Sequence, residues 1–174
     1  MKGLIEQTEL RQASIEDAAA IWQILQEAIE RRRRDGSLQW QDGYPNTETV
    51  QQDIASGAGY VLLCNNIIVA YAALLFNNEP AYENIDGAWL TNGDFMVVHR
   101  VAVSDQVAGK GFAALFFREM EVIAKAHHVF SIKVDTNFDN PAMLHILHKS
   151  GYIYCGEVML RGAPRKAFEK RLVP

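Results

Sequence analysis

Apolar residues recur at helical spacing at Ile15, Ala18, Ile21, Trp22, Leu25 and Ile29, behind a Ser14 and Asp17 pair that forms a capping box. The spacing predicts a first helix from Ser14 to Arg34, ended at Asp35-Gly36 with Gly36 in the left-handed cap. Arg31 to Arg34 fall in its last turn, where the helix dipole favours positive charge, so the run reads as a solvated helix end. Phosphate or nucleic-acid binding is the alternative for those arginines. A linker with Trp40, Tyr44 and Pro45 leads to a second helix from Thr47 to Ser56, closed by Gly57.

The period then changes. Tyr60 to Cys64 and Ile67 to Phe76 are β-rich runs joined by Asn65-Asn66, a pair that tolerates positive φ and predicts a tight hairpin. Residues 77–93, rich in Asn, Glu, Asp and Gly around Tyr82 and Trp89, read as a long irregular connection. Phe95 to Val103 is the central strand. A glycine turn follows it, then a helix whose apolar stripe is Phe112, Leu115, Phe116, Met120 and Ile123. Ser131 to Thr136 is a further strand. Asn140 and Pro141 then open a short helix as cap and first residue, with Ala142, Met143, Ile146 and Leu147 on its apolar face and Gly151 as its stop. Tyr152 to Val158 and Arg165 to Lys170 form a closing strand pair. The order βααβββαβαββ predicts an α/β fold, a mixed and mostly antiparallel sheet with helices on both faces.

Composition narrows the function more than the fold. At 174 residues the chain is the size of one domain, residues 1–174, able to bury a core without staples. A net charge of −4 argues against nucleic acid and anionic membrane surfaces as partners. Cys64 and Cys155 are far apart with no metal-like spacing, and no signal-like or bilayer-length apolar run occurs, so the expected compartment is the cytoplasm and no metal is expected.

The candidate chemistry lies where the central strand runs into glycines. Gly109 and Gly111 let several main-chain N–H groups turn towards one anion, and the next helix adds its unpaired N-terminal donors. The turn is not a Walker loop, because G-x-x-x-x-G-K-[ST] is absent. Read from Gln106 to Gly111 as Q-x-x-G-x-G, it resembles the acyl-coenzyme A motif of the GNAT N-acetyltransferase superfamily, [RQ]-x-x-G-x-[GA] after a strand. Asn140 to Tyr152, ending Lys149, Ser150, Gly151, Tyr152, is similar to the N-P-x-A-x-x-L-Y-x-K-x-G-F run of many relatives.

That resemblance implies a V-shaped gap where the strand ending at Val103 splays from the strand starting at Ser131. Acetyl-CoA would enter as co-substrate, its pantetheine arm pairing with main chain around Val101 and Val103. The diphosphate would rest on N–H groups of Gln106, Val107, Ala108, Gly109, Lys110, Gly111, Phe112 and Ala113. Asn140 corresponds to a cofactor-contacting asparagine, a role compatible with capping its helix. The implied reaction is transfer of acetyl to a primary amine by direct attack in a ternary complex; a non-catalytic acyl-CoA binding or sensing module is the alternative. His99, two residues before Val101 and so on its face, is the candidate base, against a strand histidine bonded to a neighbouring carbonyl. Asp94, Glu83 and Asp86 are its substitutes. Family members place an acidic tyrosine where this chain has Leu147, so that role does not transfer, and water, Tyr152 or His148 would have to serve. Trp40, Tyr44, Tyr82 and Trp89 line the acceptor side or pack as core and lid. The acceptor is a small-molecule or peptide amine of unspecified identity, and a homodimer is allowed.

Overall fold

The computed structural model describes residues 7–174. In chain order its elements are β1 (Thr8–Gln12), α1 (Ala18–Arg34), α2 (Thr47–Ala55), β2 (Gly59–Cys64), β3 (Ile67–Phe76) and β4 (Asp86–Gly87). There follow β5 (Met96–Val103), α3 (Phe112–Ala126), β6 (Ser131–Thr136), α4 (Pro141–Lys149), β7 (Ile153–Leu160) and β8 (Ala163–Arg171). Among the described residues eight strands join one sheet in the order β1-β2-β3-β5-β6-β8-β7-β4, in which only β5 and β6 run parallel.

Local signals explain most boundaries. Asn65 and Asn66 take φ of 49° and 67°, the left-handed pair of a two-residue hairpin, and bring Cys64 opposite Ile67. Ser14 N–H donates to Asp17 at 2.7 Å, closing the capping box ahead of α1. At the other end Gly36 has φ of 76°, and the N–H groups of Ser37 and Gly36 donate back to Arg32 and Arg33, a Schellman motif. The segment 77–93 is less irregular than its composition suggests. It holds a 3-10 turn at Pro80–Asn84 and the two-residue β4, whose Gly87 lies opposite Gly156 of β7. A Cβ on Gly87 would sit 2.1 Å from the Cys155 carbonyl oxygen, so the crossing requires glycine.

Helices cover both faces of the sheet. Phe116, Phe117 and Met120 of α3 and Leu147 of α4 pack on Leu62, Met96, Val98, Ile132 and Phe168. On the other face Ile21, Leu25 and Ala28 of α1 and Val50 of α2 pack on Val61, Tyr71 and Ala102. Farther along that face the segment 77–93 does the covering: Tyr82 packs on Val97, Val158 and Ala167 with Trp89 beside it. Glu169, fully buried, anchors this segment by accepting hydrogen bonds from Leu90 N–H at 2.5 Å, from Thr91 and from Ser131.

The gap in the sheet has a specific cause. β5 and β6 pair through Met96↔Ile132, Val97↔Lys133 and Val98↔Val134 and no further. Beyond that point β5 stays with β3, through Tyr71↔Ala102 and Ala70↔Val103, while β6 stays with β8, through Asp135↔Ala167 and Thr136↔Lys166. At the fork β5 carries a bulge. The register passes from Ala73↔His99 to Tyr71↔Ala102, so Arg100 and Val101 share one partner position, and Arg100 takes φ of 55°.

That extra residue reverses the alternation along β5. Met96, Val98 and then Val101 face α3, whereas Val97 packs with Tyr82 on the opposite face. His99 lies on the Val97 side, its ring 6.4 Å from that of Tyr82. The expectation that His99 shares the face of Val101 is therefore corrected: a regular strand would place them together, and the bulge at Arg100 separates them.

Candidate active site

Two cavities open from the fork. The larger, about 580 Å³, runs between the end of β5, the glycine turn and α4. Its walls include Val101, Val103, Val107, Ala108, Gly109, Gly111, Phe112, Ala113 and Asn140, together with Arg31, Arg32, His145 and Lys149. Gly109 and Gly111 have φ of 75° and 84°, which turn the main chain towards this space. Among the described residues the N–H groups of Gly109, Gly111, Phe112, Ala113 and Ala114 donate to no protein acceptor. The cradle is thus shorter than the expected run from Gln106 to Ala113. The N–H groups of Gln106, Val107, Ala108 and Lys110 are consumed inside the 3-10 turn at Asp105–Val107 and the turn after it. Neither Gln106 nor Lys110 lines the cavity.

The arginine run is not a uniform solvated helix end. Arg33 pairs with Glu30 at 2.5 Å and, with Arg34, is exposed. Arg31 instead pairs with Asp105 and donates to the Val103 carbonyl oxygen at 2.7 Å. The Arg32 guanidinium carbon sits over the Trp40 ring, 3.9 Å from its centroid, and burial lowers the group to about 10.

The second cavity, about 400 Å³, lies on the other side of the fork and shares Arg32, Val101, Asn140 and Met143 with the first. His99 is in its wall between two carboxylates. Its Nε2 is 2.8 Å from Glu79 Oε2, and its Nδ1 is 3.9 Å from Asp135 Oδ2. The second Glu79 oxygen accepts from Ala81 N–H at 3.2 Å, and Tyr82 donates its hydroxyl to Asp135 at 2.6 Å. The hydrogen bond with His99 holds the Glu79 carboxyl below its usual range against the opposing effect of burial. Burial pushes the Asp135 carboxyl up, with His99 and Tyr82 opposing. An ionised Glu79 can only accept, so Nε2 is the donor in this contact, and a neutral His99 ring would then present its lone pair at Nδ1.

The remaining wall is cationic and aromatic. The Arg100 guanidinium grips Asp53 with two hydrogen bonds of 2.9 and 2.5 Å and donates to Tyr44 Oη at 2.6 Å. Arg161 stacks over Tyr44 at 4.0 Å while paired with Asp42 at 2.8 Å. Trp40 and Tyr44 do line the cavity, but Tyr82 and Trp89 do not. Tyr82 is 2 % exposed behind Glu79 and Asp135, and its main-chain oxygen accepts from the Trp89 indole at 2.8 Å. Asn140 caps α4 by accepting from Met143 N–H at 3.2 Å and donates to Gln39 at 3.0 Å, so one amide hydrogen is left for the cavities. The carboxylates beside His99 are not the proposed substitutes: Asp94, Glu83 and Asp86 are exposed and outside this wall. Leu147 is fully buried, and neither Tyr152 nor His148 reaches either cavity.

Residues 20–152 match the model of the acetyltransferase (GNAT) family. The chain belongs to that family. A GNAT family acetyltransferase from Streptococcus agalactiae is 33% identical, with 99% of this chain and 100% of that chain covered at a TM-score of 0.89. A GNAT family acetyltransferase from Listeria monocytogenes is 17% identical, with 95% of each chain covered and a TM-score of 0.75. The aminoglycoside acetyltransferase AAC(6')-Ib in complex with coenzyme A is 19% identical, with 95% of each chain covered at a TM-score of 0.67, and so shares the fold. Among curated proteins none matches the chain.

In this GNAT chain several residues around the fork escaped the sequence. Glu79 is followed by Pro80, a visible cap signal for a short turn, and Asp135 interrupts the apolar strand Ile132, Val134. Arg165, Thr136 and Met143 carry no comparable mark. Among the described residues no helix is long and apolar enough to cross a membrane.

Proposed function

We propose that this protein transfers the acetyl group of acetyl-CoA to a primary amine by direct attack, with both substrates bound together. The observation that carries the reading is the meeting of the two cavities at Val101, with the Glu79–His99–Asp135 cluster on the acceptor side of that junction. The larger cavity suits a pantetheine diphosphate. The free N–H groups from Gly109 to Ala114 suit its phosphates, Arg31, Arg32 and Lys149 supply positive charge, and the edge of β5 beyond Val98 is free of β6. When bound, acetyl-CoA supplies the thioester carbonyl and a thiolate leaving group.

The chain's own residues manage the proton. A new N–C bond forms as the C–S bond breaks, and the amine must give up a proton in the process. His99 Nδ1 accepts it. The resulting imidazolium lies between Glu79 and Asp135, which stabilise its charge, and Glu79 fixes the ring orientation. No hydroxyl stands at Leu147, so the thiolate departs unaided or takes a proton from water. That absence is what favours the second reading, an acyl-CoA sensor without catalysis.

The two readings separate on one experiment, thiol release from acetyl-CoA across a panel of primary amines with the N-acetyl product identified by mass. Equimolar thiol and product are expected. Tight acetyl-CoA binding with no thiol release from any amine would favour the sensor. We also place the protein in the cytoplasm as a single domain over 1–174, in keeping with Cys64 and Cys155, both buried and free.

A further inference from the structure

Four arginines line the acceptor cavity, and two of them already have carboxylate partners: Arg100 has Asp53 and Arg161 has Asp42. Arg32 and Arg165 make no carboxylate ion pair among the described residues. The chain contains four described buried side-chain polar atoms without a hydrogen-bond partner, and three belong to this one wall: Arg32 Nε, Arg165 Nε and Thr136 Oγ1. Each such orphan costs roughly 1–3 kcal/mol, so three of them within one cavity wall mark a polar lining that the protein alone leaves unsatisfied.

Arg165 is the more informative of the two cations. Arg32 is stacked on Trp40 and also borders the cofactor cavity, whereas Arg165 borders the acceptor cavity alone. On β8, Arg165 is two residues from Ala167, which lies opposite Asp135 of β6. Arg165 and Asp135 are therefore diagonal neighbours on one face, a relation that sets such residues about 7–8 Å apart. A cation and a carboxylate from such neighbouring positions on one face, with His99 beside the carboxylate, form a complementary pair for a small molecule carrying both charges.

We infer that the acceptor is a small amine bearing an acidic group, a carboxylate or a phosphate ester, held through that group by Arg165 with its amine turned to Asp135 and His99. This deepens the transferase reading and rests on it. The cavity of about 400 Å³ suits an amino-acid-sized ligand. A polycationic amine would meet unpaired guanidinium groups and bind poorly.

The test uses the full-length protein with acetyl-CoA and matched acceptors: free amino acids, their carboxamides, aminoalkyl phosphates and the polyamine kanamycin. Acid-bearing amines should exceed their carboxamides in kcat/KM by about tenfold or more, and the better of carboxylate and phosphate names the group. Arg165→Gln should erase that preference by raising KM for the acid-bearing acceptor about tenfold, with kcat and the acetyl-CoA KM little changed. Arg165→Lys, which keeps the charge, should retain part of it and guards against misfolding. Equal use of amide and acid, a preference for kanamycin, or a preference that survives Arg165→Gln overturns the inference. If no amine releases thiol, the transferase reading is what fails. Calorimetric binding of the same panel to the acetyl-CoA complex then decides the acidic-group inference separately, by acid bound over amide or not.

Discussion

The cavity proposed for the cofactor and the cavity proposed for the acceptor meet at one fork in the sheet but are built from different parts of the chain. The first is largely main chain: Gly109 and the run from Gly111 to Ala114 present their N–H groups because two glycines hold left-handed conformations and a helix starts there. The second is side chain. Arg32, Tyr44, Glu79, His99, Asp135 and Arg165 reach it from six separate places in the sequence. A main-chain site tolerates loss of neighbouring side chains and depends on backbone angles, whereas a side-chain site depends on each group that touches the reacting atoms.

Substitutions should reveal that difference, the largest effect coming on the side-chain half. His99→Gln keeps size and hydrogen bonding to Glu79 but cannot take a proton, and should lower kcat by roughly 10²–10⁴ with the acetyl-CoA KM little changed. An unchanged kcat would leave His99 as a positioning residue for Glu79 and Asp135.

On the main-chain half, Gly111→Val has open space for its Cβ but must hold φ of 84°, at a cost of about 1–2 kcal/mol. If the backbone relaxes instead, the N–H fan is lost, and Kd for acetyl-CoA should rise about tenfold while the protein stays folded. Gly87→Ala makes the opposite control, since its Cβ would strike the Cys155 carbonyl at 2.1 Å and should lower Tm without a specific effect on acetyl-CoA. Equal losses of acetyl-CoA affinity in both would remove the cradle from the account.

Arg11 and Asp17, outside both cavities, test whether an ordinary structural ion pair behaves differently from either. The hydrogen bond from Arg11 is the main cause that holds the Asp17 carboxyl at about 2 against an ordinary 3.8. A depressed carboxyl contributes stability that is whole above its ordinary pKa and lost as the pH falls through the folded value. Urea unfolding should therefore show a loss between pH 3.8 and about 2 that Asp17→Asn reduces, with turnover at neutral pH unaffected by the titration. The smallest effect belongs to Gln106→Ala. Its N–H is used inside the turn and its side chain is exposed, so Kd for acetyl-CoA should change by less than about twofold despite its place in the motif.

What the sequence disclosed follows the same division. The Asn65-Asn66 hairpin, the Asn140 cap, the Gly36 stop and the Gly109 and Gly111 turn are local, each set by the angles its own residues prefer, and each is present in the structure. The strands of β3 and β6 match the expected ranges to the residue because alternation and length are local as well. The register of β5 is not local. Nothing in Val-His-Arg-Val-Ala-Val announces a bulge, so the strand period carried His99 to the wrong face. Arg31 and Arg32 looked like a solvated helix end because helix position alone says nothing of the Trp40 ring and the fork that receive them. The proximity of Glu79 and Asp135 to His99 is a tertiary fact, which sequence position, pointing to Asp94, Glu83 and Asp86, does not carry.

On the proposed mechanism the two cavities hold both substrates at once at the fork beside His99. Initial velocities of thiol release, measured against acetyl-CoA at several fixed concentrations of an accepted amine, test it directly. Intersecting double-reciprocal lines are expected, with no acetyl group on the protein by intact mass after mixing with acetyl-CoA alone. Parallel lines with an acetylated protein would contradict it, because the acetyl group would then pass through a residue of the chain before reaching the amine.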